Sequence, residues 1–330
     1  MTTQETLPLL TCDRLTKVYG NRKYKALDEI SFSTPASGAF VLIGRNGSGK
    51  TTLVRILATE LEPTSGSAAF GGIDVMSAAT ELREKIAIVP QEARTVPWMT
   101  PIQTVSSYLL WRGFSYTEAK RRASESLSKL GMTEFSNSLN RTLSGGMRRK
   151  VLVATVLASE AEIIFLDEPT TGLDPISRRE FWDLLKGIGR DRFTFLTTHY
   201  LEEAEVLGDR IGILDRGKLI RIGTLSQLRQ SVNYNYSMKV PLSEKSAIPK
   251  LEEGEIVEDS DGYRILTTEE EAFRLSRELA KTGSKFTINP LSLDDIFFYV
   301  VNKEGSGPDL GNRREEVRGT NRGREKQETD

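Results

Sequence analysis

The chain has 330 residues, enough to bury a sizeable core and to hold more than one folded unit. Its 45 Lys and Arg balance 46 Asp and Glu, a net charge of −1, so no bulk field recruits nucleic acid or an anionic membrane. One cysteine and one histidine exclude an internal disulfide and any cluster of several Cys or His ligands, which leaves oxygen ligands, Mg²⁺ and phosphate.

In chain order, residues 9–19 and 25–33 are predicted strands, the second alternating around Ile30 and Phe32, joined by the turn Gly20, Asn21, Arg22 and Lys23. Cys12 lies in the first and is expected to be a small buried apolar side chain. Tyr19, before a glycine, is either an ordinary strand-end tyrosine or a platform for a nucleotide base. The apolar strand Phe40, Val41, Leu42, Ile43 runs into Gly44, Arg45, Asn46, Gly47, Ser48, Gly49, Lys50 and Thr51, which fits the phosphate-loop pattern GxxxxGK[ST] at every fixed position. Glycines let successive backbone N–H groups approach a phosphate, Lys50 adds a charge that reaches the outer phosphates, and Thr51 supplies a hydroxyl for Mg²⁺. A helix over 52–58, opened by Thr52, would turn its N-terminal amides and dipole toward the same phosphates.

Beyond a turn at 63–66, strands are predicted over 67–70 and 86–89, the latter ending in Pro90 and Gln91. Ile102, Val105, Leu109 and Leu110, then Ala119, Ala123, Leu127 and Leu130, recur at helical spacing and mark a helical insertion over about 98–142. Leu143, Ser144, Gly145, Gly146 and Met147 open a helix reaching 158, and the apolar strand 163–166 ends in Asp167 and Glu168. Two adjacent carboxylates after four apolar residues are costly to hold unless they bind a cation or activate water. A helix over 177–188, a strand over 193–197, His199, a helix over 201–207 and strands over 211–214 and 218–222 complete a β/α alternation, which implies a mostly parallel sheet covered by helices. Residues 231–302 change character, with short strands near 236–240, 255–257, 263–266 and 285–288 and helices over 269–281 and 293–301, the expectation being a small separate α+β domain. The mixed-charge, apolar-poor stretch 303–330 is expected to be disordered. No apolar run approaches the roughly 18 residues that span a bilayer, and Met1 to Thr6 lacks a basic signal-peptide start, so any membrane role is expected to come through a partner.

Together these segments resemble the nucleotide-binding subunit of ATP-binding cassette (ABC) transporters. The matching residues are the phosphate loop, Gln91 of the Q-loop, the signature from Leu143 to Met147, the strand ending in Asp167 with Glu168, the D-loop Gly172, Leu173, Asp174 and Pro175, and the switch His199, all in the family order. Met147 stands where a glutamine often closes that signature. The form Ser144-Gly145-Gly146-Met147 followed by Arg148, Arg149 and Lys150, and the segment from Pro290 to Phe297, look like the single-cassette exporters of the ABC-2 type, which include drug, antibiotic and lipid efflux systems.

The resemblance implies a P-loop NTPase fold of RecA-like, mostly parallel α/β type, with an antiparallel β subdomain and the helical insertion, over residues 7–230. It also implies ATP and Mg²⁺ as ligands. Tyr19 would stack on adenine, while Gly44, Asn46, Gly47, Ser48, Gly49, Lys50 and Thr52 would hold the phosphates. Thr51 and Gln91 would ligate Mg²⁺, with Asp167 acting through water. Glu168 would be the general base, with Gln91 and His199 helping to place the attacking water. Asp174 of the D-loop is expected among the nucleotide-binding residues, and Ser144 with the amides of Gly145 and Gly146 would bind the γ-phosphate of the opposite subunit, so a second ATPase subunit, a copy or a paralogue, is an expected partner. The other is a separate membrane permease, which would hold the chain on the cytoplasmic face of the membrane. No nucleic acid is expected. The competing reading is a soluble cassette ATPase serving nucleic acid, ribosomes or iron–sulfur assembly; the long coiled-coil insertion of DNA-repair members and the second cassette usual in translation factors are both missing.

Overall fold

The computed structural model describes residues 9–20, 24–188, 192–259 and 262–304. The expected turn residues 21–23, and all of the expected disordered tail but its first two residues, lie outside them. β1 (Leu9–Tyr19) and β2 (Tyr24–Pro35) form an antiparallel hairpin. β3 (Ala39–Ile43) leads through the phosphate loop into α1 (Lys50–Leu57), and β4 (Ser65–Phe70) returns to pair with β1, followed by the two-residue β5 (Ile73–Asp74). α2 (Ala79–Lys85) precedes β6 (Ile86–Val89), and α3 (Pro101–Trp111) and α4 (Tyr116–Lys129) make the helical insertion. α5 (Gly145–Ala158), β7 (Ile163–Asp167), α6 (Pro175–Ile188), β8 (Phe193–Thr198), α7 (Leu201–Leu207), β9 (Arg210–Asp215), β10 (Lys218–Gly223) and α8 (Leu225–Gln230) complete the cassette.

The central sheet has the order β10-β9-β3-β8-β7-β6 and is parallel except for edge strand β10. Its inner strands are buried on both faces, which is why Ala39–Ile43 and Ile163–Asp167 read as near-continuous apolar runs rather than alternations, while Phe193–Thr198 buries its threonines along with its apolar residues. One face packs on α1 and the antiparallel sheet β2-β1-β4-β5 through stacked and edge-on rings of Phe32, Phe40, Phe70, Phe165, Phe193 and Phe195. The other face carries the core built with α3 to α7.

The third sheet, β12 (Glu255–Asp259), β13 (Gly262–Thr267), β11 (Tyr236–Pro241) and β14 (Thr287–Pro290), is antiparallel and packs on α9 (Glu269–Lys281). The last helix, α10 (Leu293–Glu304), does not stay with this sheet alone. Its Leu293, Ile296, Val300 and Val301 join Ala204, Leu228 and Val232 in the cassette's own core. The backbone N–H of Leu293 also donates to Glu205 Oε1 on α7 at 2.8 Å. Thus the residues beyond 231 have their own small core yet dock on the cassette through an apolar helix.

Candidate active site

In the parallel sheet β8 lies between β3 and β7, with Ile43 opposite Thr198 and Asp167 opposite Thr197. The three chain segments leaving these strands, the glycine loop, Glu168 and His199, therefore emerge at one carboxyl edge, where open α/β sheets place their ligands. Two glycines of the loop are obligatory. A Cβ on Gly49, at φ +111°, would come within 2.4 Å of the Ala26 carbonyl, and one on Gly44 within 2.3 Å of the Leu214 carbonyl. Gly49 also caps α1, so the free amides of its first turn face the loop. Ser48 Oγ is buried and finds no hydrogen-bond partner among the described residues.

Lys50 is buried, and its Nζ donates to the carbonyls of Gly44 at 3.0 Å and Arg45 at 3.3 Å and pairs with Glu168 Oε1 at 3.2 Å. The second oxygen of Glu168 receives Gln91 Nε2 at 3.1 Å and the Thr171 hydroxyl at 3.0 Å, and it lies 3.2 Å from His199 Nδ1. Burial pushes the Glu168 carboxyl up, but the Lys50 charge, with hydrogen bonds from Lys50 and Thr171, outweighs it and holds the group below its usual range. Asp167 has the opposite balance. Burial dominates and raises its pKa, despite hydroxyl hydrogen bonds from Thr197 and Thr51.

Glu168 also carries a left-handed backbone, φ +46°, unusual for a residue with a Cβ. Its N–H donates to the carbonyl of Thr197 at 3.1 Å and to Thr197 Oγ1 at 3.0 Å. Its carbonyl accepts from the buried Arg149 guanidinium at 2.8 Å, which also donates to the carbonyls of Pro169 and Asp167. The strained turn is thus fixed from β8 and from α5.

A cleft of about 240 Å³ opens here, lined by Tyr24, Ala26, Asn46, Gly47, Gly49, Lys50, Thr51, Thr52, Gln91 and Glu168. Of the residues expected at the site, the structure brings together Gly44, Asn46, Gly47, Ser48, Gly49, Lys50, Thr51, Thr52, Gln91, Asp167, Glu168 and His199. Tyr19 does not line this cleft; it ends the β1–β2 ladder opposite Tyr24, with the Lys17 ammonium 5.6 Å from its ring centre. Ser144 caps α5 by accepting from the Met147 N–H at 3.2 Å, and Gly145 and Gly146 open that helix; none of the three lines the cleft. Asp174 caps α6, accepting from the N–H groups of Ile176 and Ser177 and from the Ser177 hydroxyl. Sequence reading missed Tyr24, Arg149, Thr171 and Thr197. Thr197 left a signal, a threonine pair at the end of its strand, whereas nothing distinguishes Arg149 from its neighbours Arg148 and Lys150.

The ABC transporter family model matches residues 27–171. The daunorubicin/doxorubicin resistance ATP-binding protein DrrA of Streptomyces peucetius is 33% identical over 315 residues, covering 91% of this chain and 94% of that protein. The linearmycin resistance ATP-binding protein LnrL of Bacillus subtilis (strain 168) is 36% identical over 221 residues, covering 67% of this chain and 70% of that one. Among solved structures, the dimeric post-hydrolysis state of the ATP-binding cassette MJ0796, bound to ADP and Pi, aligns with a TM-score of 0.59 at 27% identity, over 66% of this chain and 98% of that chain.

Proposed function

The chain belongs to the ABC transporter family as an ATP-binding and ATP-hydrolysing subunit, and from that premise we propose that two such subunits close around two ATP molecules and drive a separate ABC-2 type export permease. The observation that carries the catalytic part is the single carboxylate, Glu168, on which Lys50, Gln91, Thr171 and His199 converge beside the phosphate loop. A carboxylate so placed is within reach of a water attacking a phosphorus atom held by the loop.

In this mechanism the loop amides and Lys50 bind the β- and γ-phosphates. Phosphate oxygens would compete with Glu168 for the Lys50 ammonium. Once Lys50 turns to them, burial acts on Glu168 with less opposition, its proton affinity rises, and the carboxylate becomes a better base. Thr171 keeps the carboxylate oriented, while Gln91 and His199 shift their hydrogen bonds to the attacking water and the γ-phosphate. Thr51, Gln91 and Asp167 fit Mg²⁺: they offer hard oxygen donors. Among the described residues no cluster of three or more His, Cys, Asp or Glu could cage a metal, and Mg²⁺ favours one or two protein ligands completed by phosphate and water. When bound, the ion neutralises charge on the β- and γ-phosphates. Asp174 and the segment Ser144 to Gly146 lie outside the chain's own cleft, which supports their service to the partner subunit's nucleotide.

No helix of the described residues is long and apolar enough to cross a membrane. Attachment to the cytoplasmic face is therefore assigned to the permease, and the resistance roles of the two named relatives support export. The experiment is size-exclusion chromatography of Glu168→Gln with Mg-ATP. The variant should bind ATP, hydrolyse it about 10²- to 10⁴-fold more slowly and elute as a dimer. An ATP-loaded variant that stays monomeric would contradict the sandwich.

A further inference from the structure

Of the two tyrosines that close the β1–β2 hairpin, only Tyr24 faces the phosphate cleft. Its hydroxyl donates to the carbonyl of Gly47, at the tip of the phosphate loop, at 3.1 Å, while 54% of the residue remains exposed. A tyrosine with its polar end bonded to the loop and its ring in solvent is neither a core residue nor a free surface one. Gly47 itself sits at φ +78° with open space around its Cα. The strand facing Tyr24 is firmly placed at this same end of the hairpin, since Val18 N–H donates to Thr64 Oγ1 and Lys17 Nζ to the carbonyl of Glu62. Tyr19 and Tyr24 are directly opposed in the ladder, so their side chains leave the same face side by side.

We propose that Tyr24 is a nucleoside-recognising residue, its ring packing on the nucleoside of the bound ATP beside Tyr19 while its hydroxyl holds the loop tip. The inference rests on the nucleotide reading above and adds a residue to it. Lys50, Thr51, Thr52, Gln91 and Glu168 give the cleft polar and charged walls, and these suit phosphate. At its rim Tyr24 supplies the only aromatic surface among the lining residues, and an aromatic face is what a purine needs.

The two contributions separate with two probes, Mg-ATP and Mg-tripolyphosphate, titrated calorimetrically into the full chain. Tyr24→Ala should weaken ATP binding about five- to a hundredfold, the range for losing one base–aromatic contact, and leave tripolyphosphate affinity within about twofold. Tyr24→Phe, which keeps the ring, should restore most of the ATP affinity. Circular dichroism should match wild type for both, as the ring is largely outside the core. An unchanged ATP affinity in Tyr24→Ala overturns the inference, as does a parallel loss for both probes, which would make Tyr24 a brace for the loop only. Lys50→Ala is the control that loses both probes. A wild-type chain that binds neither would defeat the nucleotide reading itself.

Discussion

Glu168 owes its lowered pKa chiefly to Lys50, and the two residues cannot be altered independently. With Lys50→Ala, burial is left with Thr171, His199 and the Gln91 amide against it, so the Glu168 pKa should move up, readable by carboxyl ¹³C NMR with Glu168→Gln to assign the resonance. The same variant should weaken ATP binding, and an unchanged affinity would count against the phosphate loop. Asp167 makes a contrasting case because its folded-state pKa is raised, with burial the leading cause. A carboxyl of that kind favours folding below its unfolded pKa, and the benefit disappears as pH rises through the folded value. At neutral pH its ionised form therefore opposes folding. Asp167→Asn should raise Tm near pH 7.5, with the gain shrinking as pH falls toward 4, while Mg²⁺-dependent hydrolysis is lost. A lower Tm at pH 7.5 would show that hydrogen bonds from Thr197 and Thr51 outweigh the burial of the charge. Stability given up for function in this way is expected where a buried carboxylate is kept for a cation.

At the scale of elements, α10 decides whether the C-terminal residues are an appendage or part of the cassette. Ile296 is fully buried in the core that holds Ala204 and Leu228. Ile296→Ala should cost about 2–5 kcal/mol, the usual range for a large-to-small core change. Of the three tryptophans, Trp182 alone is buried, its indole N–H donating to Glu203 Oε1 at 3.0 Å on the cassette side. In a Trp98→Phe, Trp111→Phe background its fluorescence should report a lower midpoint for Ile296→Ala. A midpoint shared with the parent would mean that α10 undocks before the cassette unfolds. The sequence made this helix legible as amphipathic, but not the surface its apolar face covers, because periodicity marks a buried stripe without naming its partner. The same limit applies elsewhere. Strands buried on both faces and the glycine loop between them were legible, as their apolar runs and fixed spacings are local. The strand expected over 285–288 is displaced to Thr287–Pro290, since Phe286 is drawn into the small core before the ladder to β11 begins. α2 and α8 each bury a single side chain, Leu82 and Leu228, and so display no apolar period, and β5 has only two residues. In the site, Lys50 was readable from the fixed spacing of the glycine loop, and Asp167, Glu168 and His199 from their places at strand ends. The support from Arg149 and Thr197 joins α5 and β8 to β7 and depends on the folded register.

At the scale of the whole molecule, the signature lies at the start of α5 while the chain's own phosphates would bind at the start of α1, and no residue of the first lines the cleft of the second. If a second copy unites them, Ser144→Arg in the Glu168→Gln background should abolish the ATP-dependent dimer yet leave the single chain's ATP affinity unchanged. Loss of both would place Ser144 in the chain's own site. The helical insertion is the face we propose such a dimer would use to act on a permease. There Tyr108 and Phe114 pack against the core, Phe114 beneath the Arg122 guanidinium, and Met99 is half-buried, its carbonyl accepting from the Asn140 N–H. Trp98, Trp111 and Tyr116 are 75%, 84% and 67% exposed. Large aromatics at that exposure cost solvation and bring no packing to the fold, whereas they are enriched where a partner docks. Gln91, bonded to Glu168, precedes this segment in the chain, so a phosphate that reorganises Glu168 acts on the base of the insertion as well. Changing Trp98 and Trp111 to Ser should therefore leave basal ATP hydrolysis and Tm within error and uncouple hydrolysis from transport in permease-containing vesicles. Met99→Ser, at a half-buried position, should by contrast lower Tm as well. If the tryptophan pair transports at the wild-type rate, the permease meets another face of the insertion.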